Sequence, residues 1–229
     1  MEAVSIYGSY VESLESGGRV GFDSEPPYAN AGQVLDATIS KQYEIGAKYQ
    51  SGRLGFTTAA FRVERGAKID QWRDGQRYLV QDGLTLYRGF EAIASYGVTD
   101  SLDIGLGGLW LDASLEDLAP ENAALRGNRP AGSAPRSYVA NFDYRPALLT
   151  GFSLHGTVRY SGEQYYEDAN RILIPGRTIT DLGFQYRTTL AGRDATLTGN
   201  INNVFNRKYW NLDMLGEARN ASLDLRIDW

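Results

Sequence analysis

The sequence contains no cysteine among its 229 residues, only one histidine and only seven prolines. Without cysteine the chain can form neither a disulfide nor a thiolate metal site. A mean hydropathy of -0.37 and the lack of a long apolar run exclude a membrane-spanning α-helix. The formal net charge of -5 provides no basic surface for a phosphate backbone, so we expect no nucleic-acid partner.

The last ten residues, NASLDLRIDW, alternate strictly between polar and apolar side chains. Successive side chains of an extended strand point to opposite faces, so one face of this strand is apolar and the other is charged. A soluble sheet would bury the apolar face, whereas an outer-membrane barrel would turn it to lipid and turn the charges to the lumen. The apolar face carries Leu223, Leu225, Ile227 and Trp229.

Similar alternation recurs in about ten segments of roughly ten residues, which is the length of a tilted membrane strand. Short connections alternate with long ones along the chain, which indicates a meander with turns at one end and loops at the other. We therefore predict an all-β, antiparallel, up-and-down transmembrane β-barrel segment. The segments lie near 3–12, 41–50, 53–65, 85–97, 102–113, 135–146, 151–162, 177–189, 195–206 and 217–229; short turns are predicted at 51–53, 98–101, 147–151 and 191–194, and long links at about 13–40, 66–84, 114–134, 163–176 and 207–216.

Aromatic side chains recur near the ends of these segments, as they do at the two interfaces of a membrane. A soluble β-protein with a polar outer face would show the same alternation, but regular strand length and lopsided loops favour a membrane barrel. The aromatic residues are Tyr10, Tyr43, Tyr49, Tyr96, Trp110, Tyr138, Tyr144, Phe152, Tyr160, Tyr186 and Trp229, and the charges assigned to the opposite face include Glu44, Lys48, Glu91, Asp103, Asp143, Arg159, Asp181 and Asp224.

Several of these segments also resemble one known family in their order and spacing. ISKQYEIGAKYQ, LGFTTAAFRVER, NINNVFNRKYW and GEARNASLDLRIDW are similar to successive strands of the barrel of TonB-dependent ferric-siderophore receptors. The resemblance implies a Gram-negative outer-membrane protein that binds and imports ferric siderophores with energy supplied through TonB. It implies no enzymatic activity and no directly bound cofactor, the ferric siderophore being the transported ligand.

In that family the barrel has 22 strands and encloses a plug domain. We therefore expect residues 1–229 to be the C-terminal portion of such a barrel, its last ten strands. We expect the plug, the segment that contacts the TonB complex and the export signal to be missing from this chain. The alternative is a small self-closed barrel that acts as a passive pore or structural protein. The two hypotheses differ in whether residues 1–12 pair with residues 217–229.

The resemblance implies that aromatic and basic groups of the outer loops meet the siderophore. Aromatic rings could stack on the ligand, and arginines, with Arg77 as a further candidate, could pair with an anionic complex. For any one of these residues, packing within the loops or at the membrane interface is the favoured explanation. The candidates are Tyr28, Trp72, Arg73, Tyr78, Tyr165, Tyr166 and Arg171.

Three aromatic residues near the end of the chain predict a different role. Tyr209 and Trp210 follow the NINNVFN element, and we interpret them as part of the membrane-interface girdle. Trp229 ends the closing strand, where it would contact lipid at the periplasmic interface. The resemblance implies that this strand is also recognised by the outer-membrane assembly machinery.

The single histidine and one acidic cluster test for an enzyme or a metal site. His155 would have to pair with a carboxylate near the outer rim to serve a barrel protease, but it follows the short turn at 147–151. We therefore expect it to bind a luminal partner. Glu163, Glu167 and Asp168 lack the spacing of a calcium loop, so we interpret them as solvated and predict no metal.

Overall fold

The alternating segments form ten strands of one antiparallel sheet in a computed structural model that describes residues 3–228. The ten strands lie side by side in the order in which the chain makes them, which confirms the predicted all-β up-and-down meander. Two further short hairpins lie in the loops. The strands are β1 (Ala3–Glu15), β2 (Thr38–Ser51), β3 (Leu54–Arg73), β4 (Gln76–Thr99), β5 (Leu102–Glu116), β6 (Arg136–Tyr144), β7 (Phe152–Ser161), β8 (Gln164–Tyr165), β9 (Leu173–Ile174), β10 (Arg177–Leu190), β11 (Arg193–Asn202), β12 (Trp210–Asn211), β13 (Met214–Leu215) and β14 (Asn220–Ile227).

The connection between β3 and β4 differs from the prediction. In place of the long link expected at 66–84, both strands continue to a two-residue turn at Asp74 and Gly75, whose φ angles are 49° and 75°. The prediction was wrong because a β-bulge between Gly66 and Lys68 breaks the alternation of side chains. Backbone pairing resumes beyond the bulge, so the hairpin is far longer than its sequence pattern indicates.

The two edges of the sheet are β1 and β14, which are not paired with each other in the described part of the chain. A self-closed ten-stranded barrel would require that pairing. Among residues 3–228, no helix is long and apolar enough to cross a membrane. A single 3₁₀ helix is assigned in this range, at Pro120–Leu125 in the loop after β5.

One face of the sheet is apolar and exposed. Leu223 and Leu225 in β14 are 68% and 59% exposed, and Leu225 lies opposite Leu197, which in turn lies opposite Tyr186. The strand register therefore places apolar residues of successive strands side by side on the face that the sequence assigns to lipid. Trp229, which we expected on the same face, lies outside the described residues.

Aromatic side chains on this face form rows at both ends of the sheet. Trp110 and Tyr138 have ring centroids 5.6 Å apart near the loop end, whereas Phe152 and Phe184 lie 6.1 Å apart near the turn end. In β6, Tyr138 and Tyr144 are separated by six residues, or about 20 Å of strand. Rows of aromatic residues at both ends of the apolar face are typical of outer-membrane barrels. The loop-end row contains Tyr10, Tyr43, Phe90, Trp110, Tyr138 and Tyr160.

The opposite face is polar and carries ion pairs between neighbouring strands. Arg159 of β7 pairs with Asp181 of β10. His155 also lies on this face, with its Nε2 atom 3.4 Å from Oδ1 of Asn200. This is the luminal hydrogen-bonding partner that the sequence predicts for His155.

A buried apolar cluster lies beyond the loop-end aromatic row. Ile69 of β3 is fully buried, and Leu115 of β5 is 2% exposed. Val80 of β4 and Leu125 of the 3₁₀ helix pack against them. We call this group the outer core; its buried members are Ala67, Ile69, Leu115 and Leu118.

Candidate ligand-binding site in the outer loops

The β3–β4 hairpin provides the scaffold of the outer region. Its strands contain 20 and 24 residues, whereas a bilayer needs about ten per strand, so the hairpin extends well beyond the membrane. At the bulge, Gly83 adopts a φ of +70°, and a Cβ atom there would lie 2.4 Å from the carbonyl oxygen of Glu116. Glycine is therefore required where the extension begins.

The first outer loop, residues 16–37, packs along this extension. The side-chain amide of Asn30 donates a 2.9 Å hydrogen bond to the carbonyl oxygen of Leu79, and the side-chain oxygen of Asn30 accepts a 3.1 Å bond from the N–H of Leu79. The Asn30 side chain thus makes the two bonds that a residue of a neighbouring strand would make. Tyr28 donates a 2.7 Å hydrogen bond to Oδ1 of Asp70. Arg77 pairs with the same carboxylate and lies 4.4 Å above the ring of Tyr28. These contacts connect the first loop to the hairpin.

The loop after β5 contacts the hairpin through a carboxylate. Asp82 accepts hydrogen bonds from the N–H of Ala119 (3.0 Å) and from the side-chain amide of Asn122 (2.5 Å). These bonds hold the start of the 3₁₀ helix against β4. The helix then places Leu125 on the outer core.

The loop between β7 and β10 is organised by two of its own polar side chains. Asn170 accepts from the N–H of Arg129 (2.9 Å) and donates to its carbonyl oxygen (2.7 Å), which joins this loop to the preceding one. Glu167 accepts from the backbone N–H groups of Ala169, Arg171 and Ile172. Of the three acidic residues that the sequence predicts to be solvated, Glu167 instead shapes the loop and Asp168 is partly buried, whereas Glu163 is exposed.

Burial perturbs two ionisable groups in this region. Burial raises the pKa of Asp168. The N–H of Ala131 donates a 2.8 Å hydrogen bond to Asp168 and lowers this pKa, whereas the nearby carboxylates of Asp70 and Glu167 raise it. Burial, followed by the hydrogen bond to Asp70, raises the pKa of Tyr28 to about 12. Tyr28 is therefore a neutral donor at physiological pH.

Together the hairpin and the loops enclose a cavity of about 750 Å³, which we call the outer cavity. Cavities of this size hold ligands the size of a drug or cofactor. Trp72, Tyr166 and Arg171, all predicted from the sequence, line it. Tyr28 lies behind the wall, where it supports Asp70 and Arg77.

The other predicted ligand residues lie elsewhere. Arg73 and Tyr78 stack on each other near the hairpin tip, with 5.8 Å between the guanidinium carbon and the ring centroid. Tyr165 stacks similarly with Arg129 at 5.5 Å. None of these residues lines the outer cavity, so their role as ligand contacts is not supported by the geometry.

The structure also changes the interpretation of Tyr209 and Trp210, which we predicted to lie in the membrane-interface girdle. Tyr209 lies 5.1 Å from the guanidinium carbon of Arg177 and lines a hollow on the polar face with Glu91 and Arg159. Trp210 belongs to the short loop hairpin, where its carbonyl oxygen accepts a hydrogen bond from Arg177. Neither residue belongs to the aromatic rows, because the chain has left the sheet after β11.

Sequence reasoning missed part of the cavity wall. Lys68, Asn128 and Asp213 line it, together with Asp70 and Leu212. Lys68 and Asp70 of the hairpin were missed because only aromatic residues and arginines of this segment were taken as candidates. Asn128 and Asp213 belong to separate loops, and no local pattern indicates that these loops meet.

Comparison with known proteins decides the family. A family model described as "TonB dependent receptor-like, beta-barrel" matches residues 1–204. The chain belongs to this family. The resemblance seen in the strand sequences and the predicted location in the Gram-negative outer membrane are thereby confirmed.

The curated relatives are receptors and transporters rather than enzymes. The ferrichrome receptor FcuA of Yersinia enterocolitica is 31% identical over 211 residues, which cover 91% of this chain and 27% of the relative. The ferrichrome outer membrane transporter/phage receptor of Escherichia coli K12 is 27% identical, covering 90% of this chain and 27% of that protein. The chain thus spans about a quarter of the length of these receptors.

Solved barrels of this family share the fold. BauA, the ferric preacinetobactin receptor from Acinetobacter baumannii, matches with a TM-score of 0.78 at 23% identity. The match covers 99% of this chain and 34% of BauA. The ten-stranded sheet therefore has the geometry of one part of a receptor barrel, and its long loops lie at one end.

Proposed function

We propose that the chain is the C-terminal ten-strand part of a 22-stranded outer-membrane receptor, and that its outer cavity forms part of a ferric-siderophore site. Energy for import would come through the TonB complex, which would contact a region of the receptor outside these ten strands. The closing strand β14 and Trp229 would be recognised by the assembly machinery. The family, and relatives whose names include ferrichrome receptors, support this proposal.

The observation that carries the proposal is the composition of the outer cavity. Trp72 and Tyr166 expose aromatic surface in a cavity that also contains charged groups. Aromatic faces stack on the apolar and planar parts of a chelate, and charged groups orient it. Trp72 lies on strand β3 of the hairpin, and Tyr166 lies in a loop that is held by side-chain hydrogen bonds, so the contacts of the protein itself position both rings.

The test is iron uptake by cells that produce the protein at its full encoded length and lack other siderophore receptors. We expect Trp72→Ala combined with Tyr166→Ala to weaken binding of radiolabelled ferrichrome by about tenfold or more. Phe22→Ala is the matched control, because Phe22 is an exposed aromatic residue of an outer loop that does not line the cavity. Equal binding by the double variant and the control would contradict the assignment of the site.

Energy coupling needs a separate measurement. Uptake is expected to stop in cells without TonB, whereas binding of ferrichrome to the same cells is expected to persist. Uptake that continues without TonB would instead indicate a passive pore.

A further inference from the structure

The charges of the outer cavity restrict the ligand that it can hold. In the described part of the chain, acidic side chains on its wall outnumber basic ones by four to three. The formal charge of the wall is therefore negative, whereas we expected arginines to provide a site for an anionic complex. The acidic side chains are Asp70, Glu167, Asp168 and Asp213, and the basic ones are Lys68, Arg77 and Arg171.

Arg77 already makes several contacts with the protein. Its Nε atom donates to Oδ2 of Asp70 (3.2 Å), and its Nη1 atom donates to the carbonyl oxygen of Pro26 (3.1 Å). Its guanidinium group also covers the ring of Tyr28. To bind an anion, Arg77 would have to break contacts that hold the first loop to the hairpin.

Arg171 is less tightly held but also lies beside a carboxylate. Its Nε atom is 3.7 Å from Oε2 of Glu167, and its side chain is 80% exposed. This separation is too long for a hydrogen bond but close enough for the charges to compensate each other. Arg171 therefore brings no net positive charge to the cavity.

Two acidic side chains of the wall and one basic side chain, Lys68, lie outside these pairs, so two negative charges and one positive charge leave the wall with a net charge of -1. Asp168 and Asp213 form no ion pair with any residue between 3 and 228. Asp168 is partly buried, and its nearest charged neighbours include the acidic Asp70 and Glu167. An anionic ligand would add to this repulsion, whereas a cationic ligand would relieve it.

We infer that the outer cavity takes ferric chelates without net negative charge, such as neutral or cationic trihydroxamates, and rejects polyanionic catecholate complexes. This inference rests on the proposed siderophore site. The repulsion grows with the charge of the ligand, so a trianionic complex meets about three times the penalty of a monoanion at the same distance. Aromatic stacking, by contrast, is available to both ligand classes.

The test measures how tightly three ferric chelates bind to the protein at its full encoded length in outer-membrane preparations. The probes are ferrichrome (neutral), ferrioxamine B (cationic) and a trianionic ferric tris-catecholate. We expect the tris-catecholate to bind at least about tenfold more weakly than the other two. Equal or tighter tris-catecholate binding would overturn the charge inference and leave the siderophore site standing. Failure of all three probes to bind would overturn the proposed function itself.

A charge reversal at the cavity wall sharpens the result. Asp213→Lys should strengthen tris-catecholate binding and weaken ferrioxamine B binding, each by about threefold. Asp23→Lys makes the same change in charge on an exposed loop residue outside the cavity, and should leave both affinities unchanged. The inference fails if the two variants behave alike.

Discussion

The membrane-spanning part of the sheet and the extension beyond it contain the same strands but carry their apolar residues on opposite faces. Within β5, Leu106 and Trp110 point outward and are 55% and 42% exposed. A few residues later, Ala113 and Leu115 point inward and are buried, while the alternate position Asp112 is exposed. The apolar phase of the strand therefore reverses just beyond the loop-end aromatic row.

The solvent explains this reversal. Between the aromatic rows the outward face meets hydrocarbon, so apolar residues are stable there without a protein partner. Beyond the rows the outward face meets water, and apolar residues gain free energy only by packing inward as the outer core. The extension thus behaves as a small soluble unit that stands on a membrane sheet, and it holds the candidate site.

The largest expected effect comes from placing a charge in the outer core. Ile69→Asp would bury an unpaired carboxylate and should cost about 4 kcal/mol or more. The loss should be local, so the extension should become open to protease added outside the cell while the barrel stays folded in heat-modifiability gels. Ile172→Asp, at a loop residue that is 56% exposed, is the control. Equal resistance of both variants to protease would disprove the separate outer core.

The same comparison predicts a different outcome for a charge between the aromatic rows. Leu106→Arg places the charge in lipid and should cost about 2–4 kcal/mol, seen as a lower yield of folded barrel. The matched control is Thr157→Arg, because Thr157 points to the lumen and lies opposite Asn141 and Asp181. Equal yields from the two variants would show that the outward face does not meet lipid.

A smaller effect is expected at the boundary between the two regions. Gly83→Ala combines a positive φ with a Cβ position 2.4 Å from the carbonyl oxygen of Glu116, so the bulge should be destabilised by about 1–3 kcal/mol. At the hairpin tip, Gly75→Ala has the same sign of φ but open space around the new Cβ, and should cost less. Hydrogen exchange of the amides of residues 68–81 would measure both. If Gly75→Ala proved the more damaging, the bulge would not position the extension.

The membrane part of the molecule could be predicted from its sequence, because one strict alternation decides both the strand and the face. NASLDLRIDW shows this, since Leu223 and Leu225 lie on the exposed face as expected. The extension of the hairpin was missed because the bulge after Gly66 interrupts that alternation. The phase reversal around Trp110 was a signal that could have located the outer boundary of the membrane.

The candidate site was only partly predictable. Trp72 and Tyr166 were identified as aromatic residues of loops, and both line the cavity. Their partners depend on contacts between distant loops, such as the pairing of Asn170 with the backbone of Arg129. Asparagine makes such bonds in many loops, so its presence alone does not reveal which loops meet.

The smallest expected effect concerns the outer loops, and it tests whether their packing excludes water from Asp168. Burial raises the pKa of Asp168, so ionising this side chain destabilises the folded loops. The stability that the protonated form contributes is present at low pH and is lost as the pH rises through the pKa of the folded state. Asp168→Asn keeps an oxygen that can accept the N–H of Ala131 and removes the charge. At neutral pH the variant should protect that amide more strongly, by at most about tenfold, and the difference should vanish in acid.

Hydrogen exchange at Ala131, corrected for the intrinsic effect of pH, measures this difference. Glu163→Gln removes a charge from an exposed residue of the same loop and should change the protection little at any pH. Greater protection in Asp168→Asn that persisted in acid would mean that the side chain acts through shape and not through its charge. Greater protection that occurred only at neutral pH would instead show that these loops bury ionisable groups beside the outer cavity. Charges of the cavity wall can select a ligand only under this condition.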